Sequence, residues 1–175
     1  MATIFTHPII PVTAAYLIGR DKVSTRLMFA AGIASIIPDF DVIGLQFGIS
    51  YGDQFGHRGF THSIFFAFVL GIIASLLNIY LQASKNICFW MVFIGCGSHG
   101  ILDALTDGGR GIAFFWPITA ERYFFPWQPI EVSPIGLARF LTPRGLDVLI
   151  SELWIIWVPA IILIFLAKRI SSNPN

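Results

Sequence analysis

Charge is what this sequence has least of. Asp, Glu, Lys and Arg make up 12% of its 175 residues, against about 25% in ordinary soluble domains. That share is too small to cover a water-facing surface. The net charge is +1, so no basic field is available to attract nucleic acid. Cysteine is almost absent as well. Cys88 and Cys96 lie in one apolar run, which excludes a disulfide framework or a zinc ribbon and fits small buried side chains. A cleavable leader is not evident, because MATIFTHPIIPVTAAYLIGR lacks a basic start and His7, Pro8 and Pro11 interrupt its apolar stretch. There is no glycine-rich phosphate loop, no dinucleotide fingerprint, no G-x-S-x-G elbow and no internal repeat.

Hydrophobic residues are what the chain has in plenty. They make up 55% of it, with 17 Phe and 5 Trp, and its mean hydropathy is +0.75. Disorder is excluded. An all-α integral membrane protein is expected, with about four to five transmembrane or membrane-embedded helices forming a single domain over residues 1–170. Residues 8–19 are apolar but too short to span as one straight helix. Residues 27–49 are long enough and are interrupted by Pro38-Asp39-Phe40-Asp41. Residues 63–82 carry no formal charge and read as the cleanest span. Residues 87–105 end in Ser98, His99 and Asp103. Residues 149–167 form the last span, with Trp154 and Trp157 near one end and Lys168-Arg169 at the other. The Gly/Pro/aromatic stretch 106–148 is expected to be an irregular cap at the membrane interface, and 171–175 a frayed polar tail.

Loop charge predicts an orientation. If these spans alternate, Arg20, Lys22, Arg26, Lys85, Lys168 and Arg169 share one side, opposite Arg58, Arg110, Arg122, Arg139 and Arg144. The positive-inside rule then makes the Lys85 side cytoplasmic and turns the polar motifs outward.

Those motifs hold all four histidines. They are His7; Asp39 and Asp41 in PDFD; His57 and His62 in GHRGFTHS; His99 and Asp103 in SHGILD; and Asp107 in TDGG. Ionisable groups against apolar helices are costly, so they mark a functional site by default. His99 and Asp103 are i and i+4 and project from one helix face. Pro38 sets a turn that aims either or both of Asp39 and Asp41. Each motif alone has a plainer reading: an intrahelical hydrogen bond, a helix cap, a loop histidine, an interfacial residue. Together, at helix ends on one side of the membrane, they predict a shared site for zinc, manganese or iron(II). A serine triad is disfavoured, since Ser63 and Ser98 neighbour His62 and His99 at i and i+1, which do not face each other.

PDFD, then GHRGFTHS opening an apolar helix, then SHGILDALTDGG and FFWP, together resemble the YdjM-like family of bacterial inner-membrane proteins, described as metal-dependent hydrolases. The resemblance covers about residues 7–117 and leaves the C-terminal third without a motif. It implies a distant likeness to the zinc phospholipase C and single-strand nuclease group, all-α enzymes that hold zinc with His and Asp and cleave phosphoesters. On that likeness one metal takes Asp41 or Asp39, His62 or His57, His99 and Asp103, and His7 shares a second with Asp103 as the bridge. Many relatives read P-D-x-D-H; here Val42 follows Asp41, and one potential ligand is missing.

The expectation is a membrane-bound metal-dependent hydrolase of a phosphoester in a lipid or lipid-linked substrate, acting through a metal-activated water. Arg58 is expected to clamp the phosphate, with Arg110 as a second choice, and Asp107 to act as general base or partner to a histidine. Membrane lipid and an amphiphilic substrate are the expected partners, and nucleic acid is not. Two other classes compete. One is a metal-ion transporter, although alternating access usually uses repeats. The other is a non-catalytic regulator or scaffold with a structural metal, since some members of the resembling family are described as binding a DNA-damage repressor.

Overall fold

A computed structural model describes residues 1–172. Serine starts three of its helices. α1 is Ile9–Ile18. α2, Thr25–Ala34, is capped by Ser24, whose Oγ accepts from the Leu27 N–H. α3, Ile64–Leu76, is capped by Ser63 in the same way, accepting from Phe66. A short α4, Asn78–Leu81, leads to α5, Lys85–Ala104, capped by Ser84. Each such cap satisfies an otherwise orphaned N–H and is worth about 1 kcal/mol. Near Pro38 the chain after α2 tightens into a 3-10 helix, Ile37–Phe47. The last helices are α6, Leu137–Phe140, α7, Pro143–Glu152, and α8, Val158–Ser172, with a π turn, Leu153–Trp157, between the last two. Among the described residues there is no β-sheet, only isolated bridges at Thr106–Ile130 and Ile112–Tyr123. The fold is the all-α membrane architecture expected.

Among the described residues, three helical stretches are long and apolar enough to cross a bilayer: Thr25–Phe47, Lys85–Ala104 and Pro143–Ser172. The segment 63–82, expected to be the cleanest span, is not one straight helix. It breaks at Leu77, leaving α3 with 13 residues, a rise of about 20 Å against a hydrocarbon core of about 30 Å. The cap also ends sooner than expected. Irregular chain gives way to α6 at Leu137, and Pro143, whose missing N–H costs nothing in a first turn, opens α7. The expected tail is helical through Ser172, and residues 173–175 lie outside the described part.

α5 is the central helix. It packs most extensively on α3, then on α2 and α1, while α8 packs on α1. Leu27, Ala31, Ala67, Met91, Cys88 and Cys96 fill the core between them, and both cysteines are buried and free, as expected. Ile72, Leu76, Ile161 and Phe165 face outward, as lipid-exposed positions do.

Close approach is set by small residues. A Cβ on Gly95 would stand 2.6 Å from the Ala31 carbonyl oxygen, so α2 reaches α5 only over a glycine. Gly95→Ala is therefore expected to cost about 1–3 kcal/mol, a fall of roughly 5 °C in the thermal midpoint of the detergent-solubilised protein. An unchanged midpoint would mean that the two helices are not in contact there.

The cap is stitched onto the C-terminal end of α5. Phe125 N–H donates to Ala104 O (3.0 Å), Ile130 N–H to Leu105 O (3.2 Å) and Asp107 N–H to Ile130 O (2.9 Å). The first two bonds use carbonyls that a helix end leaves without partners. Ile64 N–H, at the start of α3, donates to Phe114 O (3.0 Å). The start of α3, the end of α5 and the segment before α1 therefore meet beneath one cover.

Candidate metal centre

Four pieces of chain converge there. α5 supplies His99 and Asp103, one turn apart on its buried face. The 3-10 segment supplies Asp39, the short turn Phe60–His62 supplies His62, and the N-terminal segment supplies His7. Gly100 lets the His62 turn meet α5, because a Cβ there would lie 2.8 Å from the His62 carbonyl oxygen. Asp39, His62, His99 and Asp103 are all buried, and each offers a ligand atom within 4.8 Å of the others'. His7 stacks on His99 with ring centroids 3.7 Å apart. Its Nε2 lies 3.8 Å from Asp103 Oδ1 and 4.0 Å from Asp39 Oδ2.

The hydrogen bonds fix which ring nitrogens carry protons. His99 Nδ1 lies 2.7 Å from the Ser35 carbonyl oxygen, which can only accept, so Nδ1 is the donor. His62 Nδ1 lies 3.3 Å from Asp41 Oδ2 and 3.1 Å from Thr61 Oγ1. Thr61 Oγ1 itself donates to Asp41 Oδ2 (2.7 Å), so His62 Nδ1 is a donor too. The two remaining nitrogens, Nε2 of His62 and Nε2 of His99, face each other at 3.1 Å. With both Nδ1 atoms donating, neutral rings would turn two lone pairs toward each other here. Two nitrogens each about 2.0–2.1 Å from a tetrahedral ion stand about 3.3 Å apart.

Other atoms point the same way. Both nitrogens of His7, both oxygens of Asp39 and Oδ2 of Asp103 are buried without a hydrogen-bond partner. Burial, with His99 beside it, pushes the His7 pKa down to about 3, and burial lowers that of His62, so both are neutral ligands at physiological pH. The side chains of Asp39, Asp41 and Asp103 are all buried, and Arg58 is the cationic side chain among them. Buried carboxylates gathered in this way favour a nearby cation. The donor set of imidazole nitrogen and carboxylate oxygen suits zinc, manganese or iron(II).

Asp41 and His57 stand behind His62. Asp41 Oδ1 accepts from His57 Nδ1 (2.6 Å), and Oδ2 accepts from the Arg58 N–H (3.1 Å) as well as from Thr61. Asp41, His57 and His62 form a second group of possible ligands. Asp41 and His57 are outside the first group, so of the alternatives Asp39 or Asp41 and His57 or His62 that group contains Asp39 and His62, with Asp41 behind His62.

Two expected roles do not match the placement of the residues. Arg58 is fully buried, with its backbone in the left-handed region at φ 66. Nη1 donates to Gly108 O (2.7 Å), Nη2 to Thr106 Oγ1 (3.0 Å), and Nε lies 3.2 Å from Asp103 Oδ2. A fork engaged this way braces Asp103 and is not open for a phosphate. Asp107 belongs to neither ligand group. It accepts from the Val132 N–H (2.7 Å) and lies near Arg144, so it fastens the cap. Arg110 lines a cavity of about 460 Å³ together with Tyr51 and His57, next to the centre.

Glu152 was not among the expected site residues. It is fully buried and accepts from Thr3 N–H, Thr3 Oγ1 (2.6 Å) and Thr6 Oγ1 (2.7 Å). Trp157 Nε1 donates to Thr6 Oγ1 (2.9 Å). These bonds tie the segment carrying His7 to the last membrane helix. At its other end that segment reaches the centre, where the Ala2 N–H donates to Asp103 Oδ1 (2.7 Å).

The YdjM inner membrane protein family matches residues 1–174. "Inner membrane protein YbcI" of Escherichia coli (strain K12) is 40% identical over 164 residues, covering 93% of this chain and 95% of that protein. "Uncharacterized protein YvsG" of Bacillus subtilis (strain 168) is 39% identical over 109 residues, covering 58% of this chain and 63% of that one. No solved structure matches with significance. The protein is thus an inner-membrane protein, and the chain belongs to the YdjM inner membrane protein family.

Proposed function

We propose that this protein is a membrane-bound metal-dependent hydrolase that cleaves a phosphoester in a lipid or lipid-linked substrate. The observation that supports it most is the convergence of the Nε2 atoms of His62 and His99, 3.1 Å apart and flanked by Asp39 and Asp103. Asp39, His62, His99 and Asp103 would hold the ion, zinc being the best fit to two imidazoles and two carboxylates. His7 is a further ligand. A divalent ion held there supplies charge that polarises a phosphoryl oxygen and acidifies a water molecule. The protein's own groups do the rest. Asp41 holds His57 and His62 in their tautomers through Nδ1, Arg58 steadies Asp103, and Arg110 replaces Arg58 as the residue to meet a phosphate. In this reading the centre faces away from the cytoplasm, opposite the basic end that carries Lys85 and Lys168.

Elemental analysis of the detergent-purified, folded protein tests the reading. A stoichiometric transition metal is expected, together with release of phosphate or alcohol from phosphodiesters that stops when a chelator removes the ion. Folded protein without transition metal would overturn it. Full burial of the ligands also fits a structural ion holding the helices together; on that account the metal is present and no phosphoester is turned over.

A further inference from the structure

The centre has a cavity on each side, and the two differ in chemistry. His57 forms part of the wall of one, with Tyr51 and Arg110. His62 forms part of the wall of the other, a space of about 810 Å³ whose remaining lining is almost wholly apolar. That volume falls within the range of about 300–1,000 Å³ usual for small-molecule sites. The two histidines are joined through the two oxygens of Asp41, with ring centroids 5.5 Å apart. One carboxylate-linked pair therefore stands between a chamber that holds Arg110 and an oily one.

The oily chamber is enclosed by α5, through Phe93, Ile94 and Ile101, and by the cap, through Phe114, Phe124 and Phe125. Its rim is exposed apolar surface: Ile64 is 48% exposed and Ile101 47%. Both sit on helices with outward-facing apolar side chains, and His62 of the candidate centre lines the same chamber. An aqueous substrate has no use for such a wall. A hydrocarbon chain does, because burying each methylene there is favourable, and an anionic phosphate has its complement in the guanidinium of Arg110 across the divide.

We propose that the Phe-lined chamber beside His62 seats the hydrocarbon tail of an anionic phosphoester amphiphile, whose head lies in the Arg110 chamber and whose ester bond lies at the metal centre. This rests on the hydrolase reading for the chemistry, and on the two chambers alone for the binding. The tail enters sideways from the bilayer between α5 and the cap. Ser98 lines the chamber, so a large side chain there occupies the tail seat.

Two measurements test it separately. In the first, a hexadecyl phosphate bearing a photoreactive group at the tail end is cross-linked to the full-length protein in micelles and mapped by mass spectrometry. Labels are expected on Phe93–Ile101 and Phe124–Phe125, displaced by excess hexadecyl phosphate and not by butyl phosphate, and lost in Ser98→Phe or, should that variant fold poorly, in Ile94→Trp. Labelling spread evenly over the exposed faces of α3 and α8 and not displaced would overturn the proposal. In the second, 4-nitrophenyl phosphodiesters carrying butyl or hexadecyl chains are compared as substrates. The hexadecyl ester is expected to be favoured in kcat/KM by at least about a hundred-fold, and Ser98→Phe to remove the preference. A preference that survives both variants would overturn the tail seat. Displaceable labelling without turnover of either ester would sustain the seat and overturn the hydrolase reading; chelator-sensitive turnover with no chain-length preference would do the reverse.

Discussion

Asp103→Asn is expected to lower metal affinity by more than about a hundred-fold, since even residues one step removed from a metal ligand are usually worth 10–100-fold. One carboxylate serves several neighbours. Oδ1 accepts from the Ala2 N–H at 2.7 Å, and Oδ2 lies 3.2 Å from Arg58 Nε, 3.8 Å from His62 Nε2 and 4.0 Å from His99 Nε2. Asparagine keeps an acceptor for Ala2 but brings an N–H₂ group, and no charge, to the place where the Nε2 atoms of His62 and His99 converge. It also leaves the Arg58 guanidinium fully buried without its counter-charge. Breaking a buried pair by removing one partner costs about 3–5 kcal/mol, a fall of roughly 10 °C in thermal midpoint. Metal analysis and thermal unfolding in detergent read the two effects. A variant that folds, loses its ion and no longer turns over phosphoester supports an enzyme. One that unfolds without the ion supports a structural metal. Wild-type metal content in a folded variant would show that the ion is not held by Asp103.

His99 and Asp103 are legible in the sequence because they obey a helical spacing, and α5 is a regular helix. The choice between Asp39 and Asp41 is not legible, because it depends on the 3-10 geometry around them. At about three residues per turn, positions i and i+2 point about 120° apart. Asp39 therefore turns to His99 while Asp41 turns to His57 and Thr61. Arg58 reads as a phosphate clamp because Arg suits phosphate. Its actual partners, Thr106 and Gly108, lie about fifty positions along the chain, and no local pattern announces them. The break at Leu77 is equally silent, since neither Gly nor Pro marks it. Glu152 did leave a signal: it is a carboxylate inside LISELWIIW, and an acid within an apolar span asks for a partner. What the chain order hides is that the partner is the opposite end of the protein.

That long-range tie makes Glu152→Ala the other large effect. The substitution removes the acceptor for three donors at once, Thr3 N–H, Thr3 Oγ1 and Thr6 Oγ1, in a place where Thr3, Thr6 and Glu152 are all buried. Each donor left unsatisfied costs about 1–3 kcal/mol, so the sum is of the order of 3–5 kcal/mol after partial rearrangement. The consequence extends past stability, because the segment released is the one that carries His7 to Asp39 and Asp103 and brings the Ala2 N–H to Asp103. The π turn that begins right after Glu152 and includes Trp157 supplies a second hold on Thr6, through the indole N–H. Trp157→Phe, which loses one neutral hydrogen bond, is therefore expected to cost only about 1 kcal/mol. Glu152→Ala should lower the thermal midpoint by roughly 10 °C and weaken metal retention on dialysis, and Glu152→Gln, which keeps one oxygen acceptor, should fall between. If Glu152→Ala lowers stability but holds its metal as tightly as the wild type, the N-terminal segment is a structural clasp and His7 contributes nothing to the ion. If metal is lost in proportion across Gln and Ala, the last helix and the first residues act together to complete the centre.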